Sequence, residues 1–232
     1  IFQITCQKER IKYLLKKNIP VLFVLLFCCF SINGQNLDSL KLVIKSQKDT
    51  TLVNSLLLLG KKLRQINKDS SITTFNEAII YAKKVKFYEG QMSALRNRGI
   101  TFGMHYEYAN AILDFNEAVQ LGITYNFPKE TANAYNGLGI VYKSMGDYVS
   151  SLKNYNHALI IYKKNRLKVG ESTAYANLGV LYDLMGEYDN SYKYYISAYK
   201  IDDSLQNEKS KNSLLSNMAI YHIRKKEYYK AI

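Results

Sequence analysis

The stretch YNGLGIVYKSMGDYVSSLKNYNHA (135–158) recurs forty residues later as YANLGVLYDLMGEYDNSYKYYISA (175–198), with eleven of 24 positions identical. The same spacing continues along the chain in both directions. Repetition at a fixed period of roughly 20–50 residues is typical of a solenoid or a related repeat array. The residues that keep the forty-residue spacing are Gly99, Gly139, Gly179 and Ala219; Tyr108, Tyr148, Tyr188 and Tyr228; Phe75, Phe115, Tyr155 and Tyr195; Ala78, Ala118, Ala158 and Ala198; and Ser71, Ala111, Ser151, Ser191 and Ala231.

The spacing inside each unit is helical. Apolar and small residues recur at steps of three and four, which is the pattern of an amphipathic helix. Gly146-Asp147 interrupts the pattern, and a second stripe follows it. The first stripe is Leu138, Gly139, Tyr142 and Met145, and the second is Ser151, Tyr155, Ala158 and Ile161 or Tyr162. Each unit is therefore predicted to be a helix-turn-helix hairpin, with small residues that let helix backbones approach and tyrosines that fill the space beside them.

A family resemblance follows from these residues. The pattern Leu-Gly-x-x-Tyr-x-x-x-Gly-x-Tyr-x-x-Ser-x-x-x-Tyr-x-x-Ala at 138–158 and 178–198 resembles the tetratricopeptide repeat, in a forty-residue form like that of kinesin light chains and bacterial regulatory proteins. The resemblance implies an all-α, right-handed α-α superhelix (a tetratricopeptide solenoid) over residues 52–232, with about four and a half units. HEAT repeats have a similar period, but they do not resemble this Gly-x-Tyr turn. The first unit carries a one-residue register shift, and the second has Tyr106 where the turn glycine is expected.

The N-terminus has the layout of a signal peptide. KERIKYLLKK (8–17) is basic, IPVLFVLLFCCF (19–30) is apolar, and SINGQ (31–35) returns to small and polar residues. Twelve apolar residues are too few for a membrane helix, which needs about 20. We therefore predict a signal peptide over 1–34 and a lead-in helix over 35–51; the alternative is a buried helix of the domain. The prediction implies export, to a periplasmic or membrane-associated location in a Gram-negative bacterium.

No catalytic motif stands out. The three histidines fall at different repeat positions, and the sequence has no HExxH, no CxxC, no P-loop and no Gly-x-Ser-x-Gly elbow. All three cysteines precede Gln35, so the predicted mature chain has no thiol chemistry. Residues 1–34 carry +4 of the net charge of +13, and the remaining 13 − 4 = +9 is spread over many helical faces, which favours a solvated surface over a nucleic-acid stripe. The sequence thus predicts a non-catalytic segment without metal or cofactor.

The candidate site is the concave face lined by the first helix of each hairpin. Asn97, Asn177 and Asn217 hold one repeat position, and Asn136 is one residue away from it. The resemblance implies that such asparagines bind the main chain of an extended peptide; the alternative is that they pack against the neighbouring unit. Lys143, together with Arg96 and Arg98, would favour an acidic partner. Other positions predicted to face the groove are Gly137, Ser144, Asp183 and Leu184.

These observations predict a scaffold that binds a protein or peptide, as the extracytoplasmic sensor or interaction region of a larger signalling protein. The layout is similar to exported tetratricopeptide regions of signalling proteins from Bacteroidetes-type bacteria. On that interpretation the chain is a fragment, and a segment after residue 232 would anchor it in a membrane and carry the output domain. One alternative is the sensor segment of a histidine kinase or transcriptional regulator. A second is a basic repeat protein that binds nucleic acid.

Overall fold

The computed structural model describes residue 44 and residues 48–224, and the latter belong to one compact unit. This region is all-α, as predicted, and consists of nine helices packed in chain order. Their bounds are α1 Asp49–Leu63, α2 Lys68–Lys84, α3 Tyr88–Met104, α4 Tyr108–Thr124, α5 Pro128–Ser144, α6 Tyr148–Lys164, α7 Lys168–Leu184, α8 Tyr188–Ser204 and α9 Glu208–Arg224.

The repeat is more regular in the structure than in the sequence. From α2 onward every helix has 17 residues, and each next helix begins after a three-residue connection. The middle residue of every such connection has a positive φ, +80° and +79° at Gly146 and Gly186 and 55–63° at the five others: Lys86, Tyr106, Asn126, Arg166 and Gln206. Turns within and between hairpins therefore share one left-handed shape, and Tyr106 adopts it without glycine.

The predicted register shift is confirmed. The connection between α1 and α2 has four residues instead of three. Gly60 accordingly packs against the ring of Phe75, one residue nearer in sequence than the equivalent pair of Gly139 and Tyr155. The hydroxyl of Ser71 donates to the carbonyl of Gly60 at 2.8 Å, just as Ser151 donates to Gly139 at 2.8 Å. The same contacts thus form in both units, because the extra residue is placed in the turn.

Close approach of paired helices explains the glycine and tyrosine ladders. A Cβ atom added to Gly139 would lie 2.5 Å from the Tyr155 ring, and one added to Gly179 would lie 2.5 Å from the Tyr195 ring. Tyr162, not Ile161, is the fully buried end of the second stripe. Met145 is not part of the first stripe, since it lies beyond the end of α5 and is 48% exposed. The repeated residues are therefore packing residues, as predicted.

Neighbouring hairpins pack asymmetrically. Each of the first helices α1, α3 and α5 contacts the first helix of the next hairpin as well as its own partner. Successive units are closest on the inner side of a curved row, so these helices line that side. We call the face formed by α1, α3, α5, α7 and α9 the groove.

Parts of the sequence predictions lie outside the described residues. The predicted signal peptide (1–34) is one of them, and so are most of the lead-in segment and residues 225–232. The last three residues of the predicted lead-in belong to α1, which begins at Asp49. None of the nine described helices combines the length and hydropathy that crossing a bilayer requires.

Candidate functional site

A cleft of about 560 Å³ opens between α5 and α7. It lies next to the connection between α6 and α7, and its lining combines cations, amides and a tyrosine hydroxyl. Such a lining offers hydrogen-bond donors and acceptors together with positive charge. The lining residues are Lys129, Asn133, Asn136, Tyr162, Arg166, Leu167, Lys168, Val169, Gly170 and Thr173.

Tyr162 and Gly170 shape the floor of this cleft. The tyrosine ring lies so close to Gly170 that an added Cβ would be 2.3 Å from it. Its hydroxyl donates to the side-chain oxygen of Asn133 at 2.7 Å. Burial raises the pKa of Tyr162 to about 12, so at neutral pH the hydroxyl keeps its proton and remains a donor. Neither Asn133 nor Tyr162 was among the predicted site residues.

Two of the predicted asparagines meet each other. The side-chain amide of Asn177 on α7 donates to the side-chain oxygen of Asn136 on α5 at 2.8 Å. Both residues are half-buried, and Asn136 also lines the cleft. The bond bridges the first helices of two hairpins. It leaves the amide group of Asn136 and the oxygen of Asn177 for a ligand, so the pair both joins the units and presents polar groups to the groove.

Asn97 lies in the packing rather than on the groove surface, which corrects its predicted placement. It is only 3% exposed, and its amide donates to the carbonyl of Ser93 at 2.7 Å. Its side-chain oxygen accepts from the guanidinium of Arg64 at 2.9 Å. A side chain that has both ends engaged in this way supports the contact between α1 and α3.

The remaining predicted site residues keep accessible polar groups. Asn217 on α9 is half-buried and has no side-chain hydrogen bond within the described part of the chain. Lys143 near the end of α5 is half-buried, and burial lowers its pKa. Over residues 48–224 no carboxylate lies within ion-pair distance of Lys143.

Two other positions are corrected by the structure. Gly137 does not face the groove, because a Cβ there would lie 2.3 Å from the buried ring of Phe115. Arg98 points away from it and forms a bidentate ion pair with Asp114, with N···O distances of 2.9 and 2.5 Å. Both reverse the sequence prediction for the same reason, which is that a helix packed on two neighbours presents few positions to solvent.

Asp183 and Ser144 are partly or fully accessible, as expected for positions near the groove. Asp183 forms an ion pair with Arg224 of α9, whose guanidinium lies 4.3 Å from the centre of the Tyr188 ring. Ser144 is exposed but donates to the carbonyl of Ile140 at 3.0 Å. Leu184 is also exposed.

Sequence reasoning missed two cations, Lys61 near the end of α1 and Arg64 directly after it. The one-residue register shift of the first unit would have revealed their repeat positions. Shifting the first unit by one residue aligns Gly60 with Gly139, which places Arg64 at the repeat position of Lys143. No group of three or more His, Cys, Asp or Glu side chains that could hold a metal ion occurs within the described ranges.

Comparison with known proteins agrees with this geometry. The model of the family described as tetratricopeptide repeat matches residues 130–204, from α5 to the end of α8. Residues 130–204 are therefore similar in sequence to tetratricopeptide repeats. The described hairpins on either side of this segment share its turn shape and its packing. No curated protein sequence matches the chain significantly.

Solved structures show the same fold at low sequence identity. BtubC (BKLC) from P. vanneervenii is 14% identical, with a TM-score of 0.70 over 84% of this chain and 82% of that protein. The STAND signal-transduction ATPase with a tetratricopeptide repeat sensor from Pyrococcus horikoshii is 14% identical, with a TM-score of 0.69 over 83% of this chain and 31% of that protein. The Rap conjugation gene regulator of plasmid pLS20, solved with the Phr* peptide, is 15% identical, with a TM-score of 0.67 over 81% of this chain and 52% of that protein. The chain thus spans about a third and about half of the latter two proteins.

Proposed function

We propose that this chain is a non-catalytic scaffold whose groove binds an extended segment of a protein or a peptide. The observation that carries the proposal is the cleft between α5 and α7, with the bonded pair Asn136 and Asn177 at its edge. Its volume falls within the range of roughly 300–1,000 Å³ that is typical of ligand sites. An asparagine side chain can donate and accept at once, so it can pair with peptide main chain whatever side chains the peptide carries.

The architecture supports a recognition role. Stacked hairpins create an extended surface, and such surfaces bind other chains along their length. The Rap regulator of plasmid pLS20 was solved with a peptide, which is a precedent for peptide binding by this fold, although the similarity concerns the fold alone.

The proposal can be tested with a displayed library of random ten-residue peptides and the immobilised 232-residue chain. We expect enrichment of peptides that then bind the free chain in fluorescence anisotropy. The double variant Asn136→Ala/Asn177→Ala should weaken that binding by about tenfold, because each lost main-chain hydrogen bond costs about 0.5–1.5 kcal/mol.

Asn116 provides the control. It is an exposed asparagine on the second helix α4, outside the groove, and Asn116→Ala should bind like the unmodified chain. Failure of the chain to enrich any peptide over the bare support would refute the proposal. Equal weakening by both variants would refute the assignment of the site to the groove.

A sensor role in a larger signalling protein is the finer form of this proposal. Its support is the STAND protein of Pyrococcus horikoshii, whose repeats are described as a sensor. We also propose export, for which the support is the basic and apolar pattern of residues 8–34. Fusion of residues 1–34 to alkaline phosphatase should yield periplasmic activity in a Gram-negative host, and an inactive fusion would contradict export. A reading frame that continues past Ile232 into an output domain would support the sensor role, and a stop codon within a few repeats would contradict it.

A further inference from the structure

We propose that the groove from α1 to α5 is specific for an acidic peptide, with Asp or Glu side chains placed against Lys61, Arg64, Arg96 and Lys143. We call these four residues the cationic stretch. The inference rests on the proposed peptide-binding function and names the chemical class of its ligand.

The cationic stretch contains three half-buried cations, Arg64, Arg96 and Lys143, beside the exposed Lys61. Within residues 48–224, none of its four members has a carboxylate oxygen within 4 Å, whereas the half-buried cations Lys68, Arg98 and Lys211 are paired. The paired cations are Lys68 with Glu107, Arg98 with Asp114, Lys168 with Glu171, Lys211 with Asp203 and Glu208, and Arg224 with Asp183. Exposed lysines such as Lys193 and Lys200 have no ion pair within these residues either, but water solvates them. The cationic stretch differs because most of its charge is half-buried and has no carboxylate within ion-pair distance.

Arg64 is held rigidly by neutral partners. Its Nε donates to the hydroxyl of Thr101 at 3.0 Å, and one terminal nitrogen donates to the carbonyl and the side-chain oxygen of Asn97, both at 2.9 Å. Its guanidinium also lies 5.6 Å from the centre of the Phe75 ring. The charge is positioned without being neutralised, and the other terminal nitrogen has no partner among the described side chains. A pre-positioned guanidinium can bind a carboxylate with little loss of entropy.

Arg96 brings the cations into one electrostatic cluster. Burial lowers the pKa of Arg96, and burial followed by the charge of Arg96 lowers the pKa of both Lys61 and Arg64. The phenol of Tyr162 and the carboxyl of Glu130 raise the pKa of Arg96, but neither lies within hydrogen-bond distance of it. Like charges brought together out of water destabilise a fold. A bound carboxylate would remove that repulsion.

The cationic stretch is continuous with the cleft. Tyr162 forms part of the cleft floor and also raises the pKa of Arg96 electrostatically. Lys129 and Arg166 line the cleft as well. An extended peptide could therefore run from the α1–α3 region to the asparagine pair while it meets cations along its length. A short acidic segment of this kind gains affinity from several charge contacts that act together.

A nucleic acid is the other polyanion, and the surroundings of the cations favour it less. Sites for single-stranded nucleic acids combine cations with exposed aromatic rings on which bases stack. The rings next to the cationic stretch, Phe75 and Tyr162, are buried. These rings pack beneath the surface and offer no exposed face on which a base could stack.

The peptides enriched from the random library provide the test. We expect enrichment of Asp and Glu, and we expect that replacing them by Asn and Gln in a synthetic peptide weakens binding at least about tenfold at low salt. The double variant Lys61→Gln/Arg96→Gln should bind the acidic peptide about tenfold more weakly and the neutral version unchanged, since only the charge contacts are lost. The charge-matched control is Lys193→Gln/Lys200→Gln, two exposed lysines on α8, which should bind like the unmodified chain.

The outcomes separate the two proposals. Enriched peptides without an acidic bias, or equal binding of the acidic and neutral versions, would overturn the acidic specificity while peptide binding stands. No enriched peptide at all would overturn the proposed function itself. Tighter binding of a twenty-nucleotide dT oligomer than of any peptide, lost in the double variant, would assign the surface to nucleic acid instead. Circular dichroism should show that the melting temperature of the double variant is no lower than that of the unmodified chain. If it is lower, the single variant Lys61→Gln, at an exposed position, replaces the double variant in the binding test.

Discussion

Asn177 donates a 2.8 Å hydrogen bond to Asn136 across the boundary between two hairpins. The two residues differ by 41 positions instead of forty, and this offset lets them meet between α5 and α7. What looked in the sequence like an imperfect ladder is therefore a pair. The pair joins two units and also borders the cleft, so its stabilising and binding roles can be measured on the same variants.

The first prediction concerns stability at this pair. Asn177→Ala should lower the free energy of unfolding by about 1 kcal/mol, the usual net value of one hydrogen bond. Because both residues share that bond, Asn136→Ala/Asn177→Ala should cost less than the two single changes together. Urea denaturation measures all three values. Strict additivity would show that the bond contributes nothing.

The second prediction concerns helix approach. Gly139→Ala should destabilise the chain by about 1–3 kcal/mol, because the new methyl group would overlap the buried ring of Tyr155. Gly103→Ala is the matched control, since its Cβ would make only ordinary contacts with Val141 at 3.6 Å and Ala111 at 4.0 Å. That change should stabilise α3 by up to about 1 kcal/mol through helix propensity. Thermal melts of both variants measure the difference, and equal effects would contradict the packing role of Gly139.

The third prediction concerns the ion pair of Arg98 and Asp114. Asp114→Ala should cost about 3 kcal/mol or more, because it leaves a half-buried guanidinium without its carboxylate. Replacing both partners, as in Arg98→Met/Asp114→Leu, should recover most of that loss. Denaturant titrations of the single and double variants would show it. A double variant no more stable than Asp114→Ala would indicate that the residues act through separate contacts.

The fourth prediction concerns pH. Burial, together with Arg96 and Arg64, lowers the pKa of Lys61 in the folded chain below its ordinary value of 10.5. The charged lysine therefore destabilises the fold fully at pH values below its folded pKa, and this cost disappears as the pH rises through 10.5. Lys61→Gln should raise the free energy of unfolding at pH 7 by about 0.5 kcal/mol, the scale of like-charge repulsion at a partly exposed site. Melting temperatures from pH 7 to 11 should converge for the two chains. A gain that persists at pH 11 would attribute the effect to packing instead of charge.

Much of the fold could be predicted from the repeat. Gly139, Tyr155 and Ala158 recur at forty residues because each unit must pack against the next with the same shape. The turns were harder to predict. Gly146 and Gly186 signal the left-handed conformation, whereas Tyr106 and Arg166 adopt it without any sequence signal. The shape of these turns follows from the 17-residue helices on either side, because a three-residue connection must bring the packing faces of the two helices together.

The candidate site was predictable only in part. Asn136, Asn177 and Lys143 lie at the groove as expected, while Asn97 and Gly137 are packed between helices. The repeat position of Asn97 is the same as that of Asn177. Its environment differs because Arg64, displaced by the register shift in the first unit, reaches its side-chain oxygen.

The sequence by itself determined which residues pack between helices. Both the helical period and the forty-residue repeat can be read directly from the order of residues along the chain. Tertiary structure decided which polar side chains bond to another side chain of the protein and which remain accessible to a ligand. Arg64 with Asn97, Asn136 with Asn177 and Asp183 with Arg224 are pairs between different hairpins. Whether such groups meet depends on distances of a few ångströms between side chains of separate helices, and only the packed helices establish those distances.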